Sequence, residues 1–387
     1  MGISDFSAFY VAGETAWQGG DIYEVSRDSF YYIYPPLFSI FMIPFSWLSF
    51  NTAHLLWECL GILFLGLAVF TGVDLTGEKK WKWYYLLPVI IAIQFVTATL
   101  KWAQVNFLIL FLILKGFKLS REKKEFWGGI LIALAISIKV IPAIMGLYFI
   151  IKKKKMVLWG ILSGLLFFLL LIPTVIFGPY RNMRLLSKWY SRIISPYVME
   201  LEIERDYSLQ NYRVDNQSAS AALHRFFDRK TKLWLFSENK FLIYHLGEKK
   251  IKTILLIFNI GLLILIIFSL FKKSKKNCTM ITNLEFSLPL LTIPFFTGVS
   301  WRHHYILTIF PLISAIVYLK KSERNSKGRF YILSSIIVFT LFAYLTDNFF
   351  LGQRAYLFQG YSLIFLGNFT LLLAFLIVII MEKKKIH

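Results

Sequence analysis

The chain has 387 residues, a mean hydropathy of +0.60, 57% apolar residues and only 17% charged residues. Soluble domains carry roughly half apolar and about a quarter charged residues, so this composition excludes a soluble globular protein. It also excludes a disordered chain and a disulfide-rich secreted domain. A chain this apolar satisfies its backbone hydrogen bonds in helices within lipid, and we therefore predict an all-α polytopic membrane protein.

The net charge of +21 is concentrated in lysine-rich clusters between apolar runs. Such clusters are typical of short cytoplasmic loops, and they argue against nucleic acid as a partner because no soluble fold is present to display them. The clusters lie at residues 79–82, 115–124, 152–155, 272–276, 320–329 and 383–385.

Eleven apolar runs are candidate membrane segments. In chain order they are residues 36–50, 52–73, 84–100, 103–117, 127–151, 156–178, 252–271, 285–299, 303–319, 330–346 and 361–381. If the lysine clusters are cytoplasmic, the two long polar stretches face outward. The predicted organisation is an outer N-terminal catalytic loop at 1–34, a membrane module at 35–178, a large outer loop at 179–251 and a second membrane module at 252–387.

Two runs fit this topology poorly. Running 127–151 as one helix places Lys139 about 18 Å along the span, near the middle of the bilayer, at a cost of about 3 kcal/mol. We therefore predict a hairpin of two short helices broken near Lys139 and Pro142. The run 36–50 is short and contains Pro44, so it is either re-entrant or the neighbouring loop at 74–83 is misplaced.

Polar motifs follow one another in a set order along the chain. They are Asp5-Phe6-Ser7-Ala8-Phe9-Tyr10, Gly19-Gly20-Asp21-Ile22-Tyr23, Tyr34-Pro35-Pro36, Trp57, Gln104-Val105-Asn106, Lys139-Val140-Ile141-Pro142, Asn216-Gln217-Ser218 with Arg225, and Trp301-Arg302-His303-His304-Tyr305. This series resembles glycosyltransferase family 87, the polyprenyl-phosphate-mannose-dependent mannosyltransferases of the GT-C superfamily. The resemblance implies a GT-C-like bundle of about 11 to 12 membrane helices with two outer loops. It also implies a membrane helix before Asp5, which we expect to be missing from the start of this chain.

Sugar transfer from a polyprenyl phosphate needs a base for the acceptor hydroxyl and a cationic cluster for the departing phosphate. By resemblance, Asp5 is the catalytic base and Asp21 is a second acid of the family. Alternatives remain for both residues. Asp5 is otherwise a helix cap or a solvated acid, and Gly-Gly-Asp is also common turn chemistry.

The candidates for the phosphate are the cations of the later motifs. Arg302, His303 and His304 are expected at the outer end of a helix, where they bind a lipid phosphate or, alternatively, anchor the helix at the interface. Adjacent histidines on a helix point about 100° apart, a geometry that disfavours binding of one shared metal ion. Lys139 calls for a function because an unpaired ammonium in lipid is costly.

The remaining predicted binding residues are polar groups around the same outer cavity. Lys101 lies just before Gln104 and Asn106, so all three are expected to line it. Tyr34 is placed near the cavity by the rigid Pro35-Pro36 pair. The resemblance suggests donor or acceptor contact for Asn216, Gln217 and Arg225, and the alternative is a helix start capped by Asp215 or Asn216.

We therefore predict a plasma-membrane hexosyltransferase, similar to mannosyltransferases, with its active site facing away from the cytoplasm. An inverting mechanism would move a hexose from a polyprenyl-phosphate donor to a lipid or glycan acceptor. No metal ligands or cofactor are predicted, and a divalent cation that assists the phosphate is left open. Two other functions stay open: a transporter or flippase of lipid-linked saccharides, and a polysaccharide polymerase or ligase.

Overall fold

A computed structural model of the chain describes residues 4–28, 30–78, 82–195, 213–229, 231, 239–271 and 279–385. Two compact units are present, one formed by Met1–Thr71 with Thr97–Glu202 and the other by Gly72–Val96 with Ile203–His387. The lysine cluster predicted at 272–276, part of the cluster at 79–82 and part of the polar stretch at 179–251 lie outside the described residues.

The described residues of the first half of the chain form helices and one small hairpin. Its elements are α1 (Phe6–Trp17), β1 (Ser26–Arg27), β2 (Phe30–Tyr31), α2 (Pro36–Ser46), α3 (Phe50–Leu75), α4 (Leu87–Ile91), α5 (Ile93–Lys101), α6 (Asn106–Arg121), α7 (Glu125–Ile138), α8 (Ile144–Ile151), α9 (Lys155–Leu165), α10 (Ile172–Phe177) and α11 (Pro179–Trp189). The two strands pair antiparallel, with Ser26 opposite Tyr31. A π-helical turn at Leu166–Leu171 joins α9 to α10, so that these elements form one long apolar helix.

The second half is also helical. Its elements are α12 (Ala219–Phe227), α13 (Glu248–Phe271), α14 (Thr279–Phe296), α15 (Ile309–Lys321), α16 (Lys327–Leu345), α17 (Asn348–Leu351), α18 (Ala355–Gly360) and α19 (Leu363–Lys385). A 3-10 helix at Arg302–Thr308 leads directly into α15. The polar stretch predicted as a large loop at 179–251 thus contains α11 and α12.

Six helices among the described residues are long and apolar enough to cross a bilayer, and a bent pair makes a seventh. The six are Phe50–Leu75, Lys155–Phe177, Glu248–Phe271, Arg302–Lys321, Lys327–Leu345 and Leu363–Lys384. The chain is therefore an all-α polytopic membrane protein. Other predicted segments correspond to shorter helices, such as α2 with 11 residues, about 17 Å of rise, so the count of 11 to 12 stays a prediction.

The run predicted as one segment at 84–100 is not a single straight helix. It is bent by 64° between Trp83–Ile91 and Ile93–Lys101. The carbonyl of Ile90, beside the bend, accepts a hydrogen bond from the Tyr344 hydroxyl at 3.0 Å. A bend of this kind is tolerated at membrane depth when neighbouring helices supply hydrogen bonds to its backbone groups.

The predicted break at Lys139 is confirmed. Helix α7 ends at Ile138, and Lys139 has extended backbone angles, with φ −145° and ψ 124°. Pro142 explains the position of the break, because its ring has no N–H for the carbonyl of Ile138 four residues earlier and would clash with it. The side of the membrane toward which α8 then runs stays a prediction.

Aromatic packing in the first unit fixes the start of α1. The rings of Phe9 and Phe38 lie 5.1 Å apart, and those of Phe38 and Trp57 lie 5.8 Å apart, which joins α1, α2 and α3. Gly13 allows α1 to approach α2 closely, since a Cβ at this position would lie 2.6 Å from the backbone of Met42. The residues just before α1 are thus held against a rigid aromatic core.

Small residues also allow α7 and α9 to pack with their backbones close together. A Cβ on Gly129 would contact the carbonyl oxygen of Val157 and lie 2.8 Å from the Cα of Gly160. Such glycine contacts are the usual means by which membrane helices approach each other without a hydrophobic driving force. This packing fixes the position of α7, the helix that ends just before Lys139.

Candidate active site

Asp5 occupies the N-cap position of α1, yet its side chain does not cap the helix. Its carbonyl accepts hydrogen bonds from the amides of Ala8 and Phe9 at 3.1 and 3.3 Å. The carboxylate turns away from these amides, and its Oδ2 accepts a hydrogen bond from Nε2 of Gln104. Asp5 is therefore neither a side-chain helix cap nor a freely solvated acid, the two alternatives considered from the sequence.

The turn between α5 and α6 brings Gln104 to Asp5. Ala103 has a φ of +47°, a left-handed conformation that is unfavourable for a residue with a Cβ. Trp57 on α3 donates a hydrogen bond from its indole nitrogen to the carbonyl of Ala103 at 2.8 Å, and the amide of Gln104 bonds to Thr99 at 2.9 Å. The surrounding contacts thus hold a strained turn beside the candidate base.

Four polar side chains form one network around the carboxylate. Oε1 of Gln104 accepts hydrogen bonds from the Tyr34 hydroxyl at 3.1 Å and from the Lys139 ammonium at 3.4 Å. The Lys139 ammonium also donates to Oδ1 of Asn106 at 2.9 Å and lies 5.6 Å from the centre of the Tyr34 ring. Tyr34, Gln104, Asn106 and Lys139, all predicted as binding residues, are therefore brought together with Asp5.

The network controls the ionisation of Asp5. Burial raises the pKa of the Asp5 carboxyl to about 6, against the opposing effects of the Gln104 hydrogen bond and the Lys139 charge. Burial and the Asp5 charge also raise the pKa of Tyr34, so its hydroxyl stays protonated as a donor. A carboxylate with a pKa near neutrality both ionises at physiological pH and accepts a proton readily, as a general base must.

An apolar groove ends at this network. It lies between α3 and α6, and its empty space of about 200 Å³ is partly open to solvent. Its lining residues are Trp57, Leu60, Gly61, Phe64, Gln104, Val105, Phe107 and Leu108. The indole nitrogen of Trp57 is already bonded to Ala103, and Gln104 is the one amide side chain of that lining, so the groove joins a mostly apolar surface to the carboxylate site.

Asp21 and Lys101 have different surroundings from Asp5. Oδ2 of Asp21 lies 2.6 Å from the Lys188 ammonium on α11, and its Oδ1 accepts from the amide of Tyr23 at 3.1 Å. These contacts fit the turn interpretation of Gly-Gly-Asp. Glu24 belongs to the same ion-pair group, and its hydrogen bonds to Arg192 and Lys188 lower its pKa to about 2. The side chain of Lys101 is exposed, with its ammonium 5.9 Å from the ring of Trp102.

In the second unit, Asn216, Gln217 and Arg225 are fully buried and bind the protein's own backbone. Oδ1 of Asn216 accepts from the amides of Ser218 and Ser300 at 3.1 and 2.9 Å. Gln217 donates to Val214 and Gln359 carbonyls, both at 2.7 Å. These bonds fit the alternative interpretation from the sequence, in which this motif begins a helix and does not contact the donor or the acceptor.

Arg225 is the largest of these buried groups. Its guanidinium donates to the carbonyls of Gly360 and Arg213 at 3.1 and 2.9 Å and to the Ser362 hydroxyl at 2.6 Å. The expected helix cap is wrong in its position. Ser218, rather than Asp215 or Asn216, caps α12, because its hydroxyl accepts from the amide of Ala221 at 3.1 Å.

The Arg302-His303-His304 motif begins the apolar span that includes α15, as expected for residues at the end of a membrane helix. Arg302 donates to Oδ1 of Asn348 at 3.1 Å, and Nδ1 of His304 accepts from the amide of Trp301 at 3.3 Å. His303 is buried, and its ring meets that of His304 edge-on at 4.5 Å. No group of three or more His, Cys, Asp or Glu residues with metal-binding geometry occurs within the described part of the chain.

The sequence predicted that Gln104 and Lys139 bind the donor substrate, but it did not identify them as neighbours of Asp5. It also missed two supports, the Ala103 turn and the Lys188 partner of Asp21. A left-handed alanine has no sequence signal, since glycine or asparagine is expected at such positions. The order of the motifs was the only available hint that Asp5, Gln104 and Lys139 belong together.

The sequence profile of Glycosyltransferase family 87 matches residues 32–294 of the chain, a range that includes Tyr34, Gln104, Asn106 and Lys139. The chain is also 28% identical over 138 residues to the Polyprenol-phosphate-mannose-dependent alpha-(1-2)-phosphatidylinositol mannoside mannosyltransferase of Mycolicibacterium smegmatis. That match covers 32% of this chain and 31% of the relative, so the chain spans about a third of the relative's length. No solved structure matches the chain.

Proposed function

Because the chain belongs to glycosyltransferase family 87, we propose that it transfers a hexose from a polyprenyl-phosphate donor to a hydroxyl group of a lipid or glycan acceptor. The observation that carries this proposal is the Asp5 carboxylate, which is held by Gln104 and has a pKa raised by burial to about 6. Asp5 acts as the general base, and the reaction is a single displacement with inversion at the anomeric carbon.

Two findings support a lipid-linked donor. The relative in Mycolicibacterium smegmatis is named for a polyprenol-phosphate-mannose donor, which favours mannose as the sugar. The shallow groove that ends at Gln104 is lined mostly by apolar side chains, a chemistry that suits contact with a prenyl chain better than contact with a nucleotide. The acceptor is a membrane lipid or glycan with a free hydroxyl.

In the proposed step, the acceptor oxygen forms a bond to the anomeric carbon while the bond from that carbon to the phosphate oxygen breaks. The acceptor proton moves to Asp5, and the electron pair of the broken bond leaves with the polyprenyl phosphate. Lys139 is bound to Gln104 and Asn106, so we assign it to the charge balance of Asp5.

The departing phosphate needs cationic or hydrogen-bonding groups of its own. Arg302, His303 and His304 remain the candidates for that role, because they begin a membrane helix and carry the donors that phosphate prefers. Asp21 is assigned a structural role through its ion pair with Lys188. We place the enzyme in the plasma membrane with Asp5 facing away from the cytoplasm, following the distribution of lysines.

The test supplies the purified enzyme in lipid nanodiscs with radiolabelled polyprenyl-phosphate-mannose and a membrane lipid extract. We expect label in a new lipid or glycan product, and none when GDP-mannose replaces the lipid-linked donor. A preparation carrying Asp5→Asn serves as the matched control. Transfer from GDP-mannose alone would overturn the donor proposal. Movement of the lipid donor across the bilayer of sealed proteoliposomes, without transfer, would favour a flippase.

A further inference from the structure

The hydrogen bonds around Gln104 can run in only one direction. A glutamine amide has one acceptor end and one donor end, and the two are often hard to assign from shape alone. Here an ammonium group settles the assignment, because Lys139 has donors and no acceptor and lies 3.4 Å from Oε1. The buried Tyr34 hydroxyl donates to the same oxygen at 3.1 Å.

This directionality leaves the amide nitrogen of Gln104 facing the carboxylate of Asp5. The backbone that carries Gln104 is itself fixed, since Trp57 binds the carbonyl of the preceding Ala103 at 2.8 Å. Among the residues that the structure describes, Oδ2 of Asp5 takes the Gln104 hydrogen bond and Oδ1 takes none. The arrangement therefore presents one defined oxygen of the base for a further proton.

We propose that Gln104 is a positioning residue, which orients the Asp5 carboxylate through its amide nitrogen so that Oδ1 meets the acceptor hydroxyl. This inference rests on the proposed function, because it assumes that Asp5 is the base. Gln104 itself need not touch the reacting atoms. Its contribution is to hold the carboxylate in one rotamer and to favour the ionised form through a hydrogen bond to a charged acceptor.

Other groups near Asp5 act on the same carboxylate or its neighbours. Lys139 supplies a positive charge, and Tyr34 supplies a neutral hydroxyl to Gln104. On α3, Nε2 of His54 lies 3.4 Å from the hydroxyl of Ser4, and Glu58 lies 3.9 Å from the same histidine. Tyr34 and Lys139 lose their partner on Gln104 in Gln104→Met, whereas Gln104→Glu keeps that acceptor, so a shift shared by both variants reports on the hydrogen bond from Gln104 to Asp5.

The experiment compares pH profiles of mannose transfer from polyprenyl-phosphate-mannose for the wild type, Gln104→Met and Gln104→Glu. Methionine keeps the approximate volume and removes all hydrogen bonds, whereas the glutamate carboxylate keeps the acceptor for Lys139 and loses the donor to Asp5. The apparent pKa of the acidic limb of the rate–pH profile should rise by about one unit in Gln104→Met and by more in Gln104→Glu. The position of a limb does not depend on the amount of folded enzyme, so reduced expression does not obscure it.

Gln94→Met is the matched control, because Gln94 is another buried glutamine whose amide nitrogen bonds to Ala343 and Thr346. The acidic limb of this variant should have the same apparent pKa as that of wild type. Unchanged limbs in both Gln104 variants, with Asp5→Asn inactive, would overturn the positioning role alone. Full activity of Asp5→Asn would overturn the proposed function itself, whatever the Gln104 variants do.

Discussion

Replacing Asp5 by asparagine should stabilise the folded protein while it removes the proposed base. The pKa of Asp5 is raised by burial from 3.8 to about 6, so the folded state disfavours the ionised carboxylate. Each pKa unit corresponds to about 1.36 kcal/mol, which gives a cost of about 3 kcal/mol for ionised Asp5 at neutral pH. Asparagine keeps an acceptor for Gln104 and carries no charge, so Asp5→Asn avoids this cost.

The sign of the pH dependence follows from the raised pKa. Well above pH 6 the wild type carries the full cost, and the cost shrinks as the pH falls through 6 and vanishes only below 3.8, where Asp5 is protonated in both the folded and the unfolded chain. For a cooperative unit of 150 to 250 residues, about 3 kcal/mol raises the melting temperature by roughly 6–12 °C. Asp5→Asn should therefore melt higher than wild type at pH 7.5, and the difference should shrink to about a third at pH 4.5.

The assay is thermal unfolding in one detergent, followed by tryptophan fluorescence between pH 4.5 and 8. Glu24→Gln is the control with the opposite sign, because ion pairs lower the pKa of Glu24 to about 2. Its carboxylate is half exposed, so we expect a loss of about 1 kcal/mol or less at neutral pH. A melting temperature for Asp5→Asn at or below that of wild type at pH 7.5 would refute the reasoning from burial.

Three further substitutions test the packing that supports the site. Ala103→Gly relieves the left-handed strain and should raise stability by about 1 kcal/mol or less without loss of transfer, measured by thermal unfolding and by activity. Arg225→Lys leaves buried carbonyls without donors and should lower the free energy of unfolding by about 2–4 kcal/mol. The loss should appear as a smaller monodisperse fraction after heating, and an unchanged fraction would argue against a structural role for Arg225. Gly129→Ala places a Cβ against the backbone of α9 and should lower the melting temperature by several degrees, whereas Gly146→Ala, with open space around it, should not.

Several features of the fold could be predicted from local sequence. The break after Ile138 follows from Pro142 and from the cost of Lys139 within lipid, both of which are visible in one short run. The long apolar spans can likewise be predicted from local sequence, because hydropathy is read from consecutive residues. The bend between α4 and α5 was missed, because the bond from Tyr344 to the carbonyl of Ile90 joins residues 254 positions apart.

The candidate site shows the same division between local and distant information. Asp5, Gln104 and Lys139 were each selected from the sequence, but no local pattern could show that Gln104 bonds to Asp5 across 99 positions. Asp21 illustrates the opposite case, since its partner Lys188 is 167 positions away and turns a candidate acid into an ion pair. Residue type indicates what a side chain can do, and tertiary contacts decide which role it takes.

The most direct test of the account is the rate of mannose transfer from polyprenyl-phosphate-mannose by Asp5→Asn and by Asp21→Asn at pH 7.5, each compared with wild type. Loss of a general base typically costs about 10² to 10⁴ in rate. We therefore expect a loss of that size for Asp5→Asn and a rate within a few-fold of wild type for Asp21→Asn. Substantial transfer by Asp5→Asn, or an equal loss in both variants, would contradict the assignment of Asp5 as the base.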